Sequence, residues 1–307
     1  MTTPRWTPAL LPSLSGKTFV VTGGNAGLGY WASELLARRG ASVIIAARNE
    51  QKASRAIASI LTRAPLGSVR SVKLDLADLA SVETAVAELS TGPIDGLILN
   101  AGLTESSKRA FTTDGFEIMF GTNFLGHFVL TAGLMPTLLA TAGSRVVSLG
   151  SISHEFFELD LDDLQSEHYS SFRTYGRSKL SVMLFGFELD RRLRKASHST
   201  RSLVAHPGFA LDGLSASRPG IGAKRSNAAV RTGLATFAQG KDAGALPIVR
   251  AAADPLAAGG DYWGPDGWRQ LKGDPTVVRA RTRARDIRTA SALWSIAENL
   301  TGTSLTL

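Results

Sequence analysis

The chain has 307 residues, 44% of them hydrophobic and 20% charged, which is enough to bury one large core and is unlike a disordered polymer. It has no cysteine, so disulfides and thiolate metal sites are excluded, and a reducing, cytoplasmic setting is expected. The net charge of +8 makes polyanions worth weighing, but the basic groups (Arg218, Lys224, Arg225, Arg231; then Arg279, Arg281, Arg283, Arg285, Arg288) carry no interleaved aromatics, so they read as solvated faces.

Pro4, Pro8 and Pro12 interrupt the first residues, which do not read as a secretory signal. No stretch reaches the roughly 18 uninterrupted apolar residues of a membrane helix. From Lys17 onward, strand and helix patterns alternate. Lys17–Thr22 reads as a strand, Leu28–Arg39 as a helix, Ala41–Ala47 as a strand and Gln51–Leu61 as a helix. Ser71–Leu74 and Asp95–Leu99 are further strands, separated by a helix over Asp78–Leu89. A long helix follows over Gly115–Leu139, then a strand at Arg145–Leu149, a helix from about Thr174 to Arg194 and a strand at Ser202–Ala205. Near-continuous apolar strands alternating with helices predict a parallel sheet wound on both faces. After His206 the rhythm breaks into a Gly-, Ser- and Ala-rich stretch over Pro207–Ala229, either a surface loop or a lid over a site, and Arg281, Arg285 and Arg288 would share one helical face.

The first strand runs into Thr22-Gly23-Gly24-Asn25-Ala26-Gly27-Leu28-Gly29, where a helix begins. Glycines there allow a tight turn and close backbone approach to a pyrophosphate, and the helix N-terminus offers free N–H groups. The second strand ends in Ala47-Arg48, without the acid that would hold a ribose 2′-hydroxyl, and a guanidinium grips a 2′-phosphate well. NADP(H) is favoured over NAD(H), and Glu50 is expected to open the next helix. Asp75-Leu76 and Asn100-Ala101-Gly102 follow the third and fourth strands, at the carboxyl ends where ligands bind in open parallel sheets.

Tyr175-Gly176-Arg177-Ser178-Lys179 sets a phenol and an ammonium on one helix face. Bringing a phenol from its usual pKa to 7 requires about 4 kcal/mol, roughly what a cation about 4 Å away supplies at an effective dielectric near 20. Tyr175 and Lys179 therefore read as an acid/base unit. Ser151 closes the fifth strand, and Asn123 sits inside a helical stretch that an amide does not favour.

In this order, these segments resemble the short-chain dehydrogenase/reductase family: T-G-x-x-x-G-x-G at Thr22–Gly29, the Asp75 position, N-A-G at Asn100–Gly102, Asn123, Ser151, Y-x-x-x-K at Tyr175–Lys179 and Pro207-Gly208. Asn123-Phe124-Leu125-Gly126-His127-Phe128, the long interval from Ser151 to Tyr175, and Tyr262-Trp263-Gly264-Pro265 are similar to its retinol dehydrogenase-like branch. The resemblance implies a Rossmann-type doubly wound sheet of about seven strands. It also implies one domain over 1–307, with an N-terminal arm (1–15), a substrate lid (207–230) and a C-terminal extension (265–307). Tyr175 would donate the proton in reduction, Lys179 would tune it and bind ribose, Ser151 would orient the substrate oxygen, and Asn123 would hold a relay water. Cofactor contacts would come from Gly23, Asn25, Gly27, Leu28, Gly29, Arg48, Asp75, Leu76, Asn100, Ala101, Gly102, Tyr175, Lys179, Pro207 and Gly208. Three departures stand out: Gly150 in place of a common second serine, Leu99 in place of the first asparagine of N-N-A-G, and Asp212 where a threonine is usual.

The expected substrate is a hydrophobic carbonyl or alcohol, since Phe156, Phe157, Phe209, Leu211 and Trp263 lie on segments bordering the site. A catalytically silent NADP(H)-binding regulator, a nucleic-acid-associated protein, and a reductase of C=C or C=N bonds remain as alternatives. The protein is expected to be a homodimer or a monomer without nucleic-acid or membrane partners. The C-terminal helix at Ala290–Leu300 is a candidate cover for a subunit interface.

Overall fold

A computed structural model describes residues 6–221 and 232–307. Lys224, Arg225, Arg231 and part of the expected lid lie outside the described residues. The strands are β1 (Thr18–Thr22), β2 (Ser42–Ala47), β3 (Ser68–Lys73), β4 (Gly96–Leu99), β5 (Arg145–Leu149), β6 (Arg201–Ala205), β7 (Ala210–Leu211), β8 (Gln239–Gly240), β9 (Tyr262–Pro265) and β10 (Pro275–Val277). The main helices are α1 (Gly27–Arg38), α2 (Glu50–Leu61), α3 (Leu79–Leu89), α4 (Ile118–Ala140), α5 (Ser171–Lys195), α6 (Leu246–Ala253) and α7 (Ile287–Thr301).

The central sheet runs β10-β9-β6-β5-β4-β1-β2-β3. Every neighbouring pair is parallel except β9 with β10. This is the doubly wound, Rossmann-type arrangement expected, with the short antiparallel β10 added beyond the seven parallel strands. Alternate side chains of β1 feed opposite layers. Val20 packs with α3, α4, α5 and α7, while Phe19 and Val21 pack with α1, α2 and α6. Gly96 of β4 is required, since a Cβ there would lie 2.5 Å from the Phe19 ring.

Strand β3 begins at Ser68, not Ser71, because it pairs with β2 alone and so alternates polar and apolar instead of forming an apolar run. Beyond the stretch that follows His206, the chain returns through α6 to β9 and β10. Helix α4 is long and apolar enough by composition to cross a membrane, but it is mostly buried within the protein. Helix α7 lays Trp294 against Phe128 of α4 and Phe185 of α5, with Arg192 over the indole at 4.1 Å.

The C-terminal arginines do not share one helical face. Arg281 and Arg285 precede α7: Arg281 pairs with Glu155 at 2.9 Å, and Arg285 covers the Phe187 ring at 4.0 Å. The segment after β7 is pinned to α1, where Arg218 makes two bonds to the buried Glu34 carboxylate (2.8 and 2.7 Å) and lies 4.3 Å over Trp31.

Two deeply buried histidines predict acid sensitivity. Burial lowers His127 to about 4 and His206 to about 3. The unfolded chain takes up these protons near the usual 6.5, whereas the folded chain does not, so stability falls as pH drops below about 6.5. At about pH 5.5 the loss is about 1.4 kcal/mol per histidine, or about 3 kcal/mol for the pair. Glu117 and Asp190, both raised by burial, oppose this only as their own titration range is approached. Guanidinium unfolding near pH 7 and near pH 5.5 is expected to show the lower midpoint in acid, and equal midpoints would contradict it.

Candidate active site

The carboxyl ends of the strands open into a cleft of about 1180 Å³. On one side is the turn from β1 to α1. Gly23 (φ +66) and Gly27 (φ +54) adopt backbone that favours glycine, and a Cβ on Gly29 would lie 2.5 Å from both the Gly23 carbonyl and Asn100 Nδ2. Ala26 caps α1 without a side-chain hydrogen bond, so no cap residue satisfies its first N–H groups.

Thr22 ties this turn to the next. Its Oγ1 accepts from the backbone N–H of Asn100 and of Ala101, both at 2.9 Å, and Asn100 Nδ2 donates to the Thr22 carbonyl at 2.8 Å. His127 completes the brace. Its Nδ1 lies 2.9 Å from the Asn123 carbonyl, which only accepts, so Nδ1 carries the hydrogen. Nε2 then accepts from the Thr22 hydroxyl at 2.9 Å, and burial keeps the ring neutral. One imidazole therefore links the cofactor-side loops to α4.

Tyr175 and Lys179 lie one turn apart on α5 and line the cleft with Ser151. The Ser151 Oγ accepts from the Ser153 N–H at 3.2 Å, which fixes it at the start of the short turn Ile152–Glu155. Burial raises the Tyr175 phenol, and the Ser151 hydroxyl draws it back only in part. Lys179 stands one helical turn from the phenol. Its ammonium is buried, donates to the Leu149 carbonyl at 2.9 Å, and is itself lowered to about 8 by desolvation.

Asn123 lies in a π-helical turn, Gly121–Leu125, within α4, an irregularity often found at functional sites. Its side chain is not free to hold a relay water with its amide hydrogens. Nδ2 donates to the Leu103 carbonyl (3.0 Å) and Ser178 Oγ (2.9 Å), and Oδ1 accepts from the Leu103 N–H at 2.7 Å. The amide locks the loop after Gly102, which needs glycine because a Cβ there would stand 2.9 Å from Asn123 Oδ1.

Of the other expected contacts, Asn25, Leu28, Ala101, Pro207 and Gly208 line the cleft. Gly208 has φ +65, and a Cβ there would meet the Leu271 carbonyl at 2.3 Å. Asp75 and Arg48 form an ion pair at 3.7 Å beside the end of β2, with Arg48 largely exposed, while Leu76 is buried against Gly126. Glu50 opens α2 as expected. Sequence reasoning passed over Lys52 and Arg55, which line the cleft from α2. Their spacing, one turn apart just after Arg48, was the available signal.

Phe156, Phe209 and Leu211 line the cleft, joined by Phe172. Phe157 instead fills the space left by Gly176, and Trp263 is buried in the core. Both were expected at the pocket, but a strand interior and a helix-packing glycine claim them.

Residues 17–195 match the family model described as short chain dehydrogenase. The chain is 40% identical over 210 residues to polyprenol dehydrogenase of Mus musculus, a match covering 66% of this chain and 62% of that protein. It is 39% identical over 202 residues to retinol dehydrogenase 13 of Homo sapiens, covering 64% of this chain and 60% of the relative. The chain thus spans less than two thirds of the length of either relative. Among solved structures, an uncharacterised protein from Mycobacterium Paratuberculosis superposes with a TM-score of 0.81 at 38% identity, covering 99% of this chain and 100% of that one.

Proposed function

The chain belongs to the short-chain dehydrogenase/reductase family, and on that premise we propose that it transfers a hydride between NADP(H) and an apolar carbonyl or alcohol. The observation that carries this reading is the meeting of Tyr175, Lys179 and Ser151 in the cleft that the glycine turn also lines.

The residues present fit a dinucleotide. Gly23 and Gly29 let the turn close against Asn100 and Ala101, where a Cβ would clash, and the first N–H groups of α1 have no capping side chain to compete with a pyrophosphate. Asn25, Gly27 and Leu28 would flank the pyrophosphate, Asp75 and Leu76 the adenine. Asn100–Gly102 and Lys179 would hold the nicotinamide ribose, with Pro207-Gly208 beside the ring. Arg48, with Lys52 and Arg55 nearby, would take the 2′-phosphate, since no acid ends β2. When bound, the nicotinamide supplies or accepts the hydride.

Tyr175 holds the proton that passes to the substrate oxygen in reduction. Burial raises its pKa, so the phenol is protonated near neutral pH. Ser151 donates to the same oxygen and fixes its position. Phe156, Phe172 and Phe209 give the substrate end an apolar wall, in keeping with relatives named for retinol and polyprenol.

The test is cofactor consumption, followed by absorbance, against a panel of carbonyls and alcohols. NADPH turnover with apolar substrates is expected, and no turnover across the panel would overturn the reading. Arg48→Ala should reduce the NADPH-over-NADH preference in kcat/KM about ten- to a hundredfold, the range of a charged hydrogen bond. An unchanged preference would remove Arg48 from the 2′-phosphate site.

A further inference from the structure

Asp212 is an acid in the wall of the cleft proposed to hold the dinucleotide. Left alone, it would repel a pyrophosphate lying along the start of α1. Lys241 answers it from a point far along the chain. The parallel pairing of β7 with β8 (Ala210 with Gln239, Leu211 with Gly240) brings the two residues together, and Lys241 Nζ pairs with Asp212 Oδ2 at 2.6 Å.

The lysine is held by its backbone as well. Its N–H donates to Ser215 Oγ at 2.8 Å, and its carbonyl accepts from the Ala245 N–H at 2.9 Å. The side chain extends over Gly27, with Nζ 3.2 Å from where a Cβ would stand on that glycine and Cδ at 3.5 Å. An ammonium has three donors, and the Asp212 carboxylate takes one. The neighbouring acid, Asp242, is turned away, its Oδ2 accepting from the Ala216 N–H at 3.2 Å.

We propose that Lys241 is a cofactor-binding residue that grips the dinucleotide pyrophosphate above Gly27, and that Asp212 aims it there through their ion pair. This rests on the reading of the cleft as an NADP(H) site and adds to it a contact from beyond the strand-and-loop motifs. A point cation on a flexible stem suits a phosphate approached along the helix axis. Asp212, which stands where the family commonly has threonine, thereby becomes tolerable: its charge is offset by the same group that attracts the cofactor.

The test is NADPH affinity by titration calorimetry at fixed salt for wild type, Lys241→Met, Asp212→Asn, the double variant, and Lys241→Arg as a charge-preserving control. Lys241→Met should weaken binding about ten- to a hundredfold, the range of one charge-assisted hydrogen bond. The double variant should bind more tightly than Lys241→Met, because the uncompensated Asp212 charge is gone, and Lys241→Arg should stay within a few-fold of wild type. Thermal midpoints without cofactor check that each variant is folded. A Lys241→Met affinity within twofold of wild type, or a double variant no tighter than Lys241→Met, would overturn the proposal. A wild-type protein that binds neither NADPH nor NADH would instead overturn the proposed function.

Discussion

Tyr175→Phe is expected to lower kcat for carbonyl reduction by about 10²- to 10⁴-fold, the usual worth of a positioned proton donor, with NADPH affinity nearly unchanged. Only the hydroxyl is removed, and the ring keeps its place on α5. Ser151 retains its bond from the Ser153 N–H, so the turn it caps does not come loose. A fall in kcat without a fall in thermal midpoint is therefore the signature. Steady-state NADPH consumption, with a thermal melt of the same preparation, makes the measurement. A variant retaining more than about a tenth of wild-type kcat would take the phenol out of the chemistry.

Lys179→Met is expected to cost at least about a hundredfold in kcat/KM while leaving the cofactor-free protein as stable as before or more so. The argument is electrostatic. Burial lowers Lys179 from 10.5 to about 8, so keeping it charged in the folded protein costs about 3 kcal/mol near neutral pH. Met has similar length and carries no charge, and the substitution loses chiefly the charge-assisted bond to the Leu149 carbonyl, worth about 2 kcal/mol. The net gain of about 1 kcal/mol corresponds to a rise of about 1–3 °C in melting midpoint for a protein of this size. Stability spent to hold a functional charge is a common trade. A lower midpoint accompanying the lost activity would make Lys179 a structural residue instead.

Much of this site is legible in the sequence alone. The glycine turn, Asn100–Gly102 and Ser151 each stand in a short motif at a strand end, Tyr175 and Lys179 share one helix face, and parallel-sheet topology gathers strand ends at one edge of the fold. What the sequence left unread had two physical sources. First, local sequence does not say which partner claims a side chain: the Asn123 amide goes to the Leu103 backbone, and the Lys179 ammonium to a carbonyl. Trp263 and Phe157 were lost to packing for the same reason. Second, contacts that depend on distant pairing leave no local pattern. Lys241 meets Asp212 only because β8 returns beside β7, and Arg218 meets Glu34 only because its segment folds back onto α1.

The two outermost strands also bear on how copies of this protein meet. β10 is three residues long and begins with proline, which has no N–H to offer a new neighbour. At the opposite border β3 turns Arg70 and Lys73 toward solvent. Short length, proline and exposed cations are the standard deterrents to strand addition. Both margins therefore discourage strand addition, which favours self-association through side-chain surfaces governed by shape and charge.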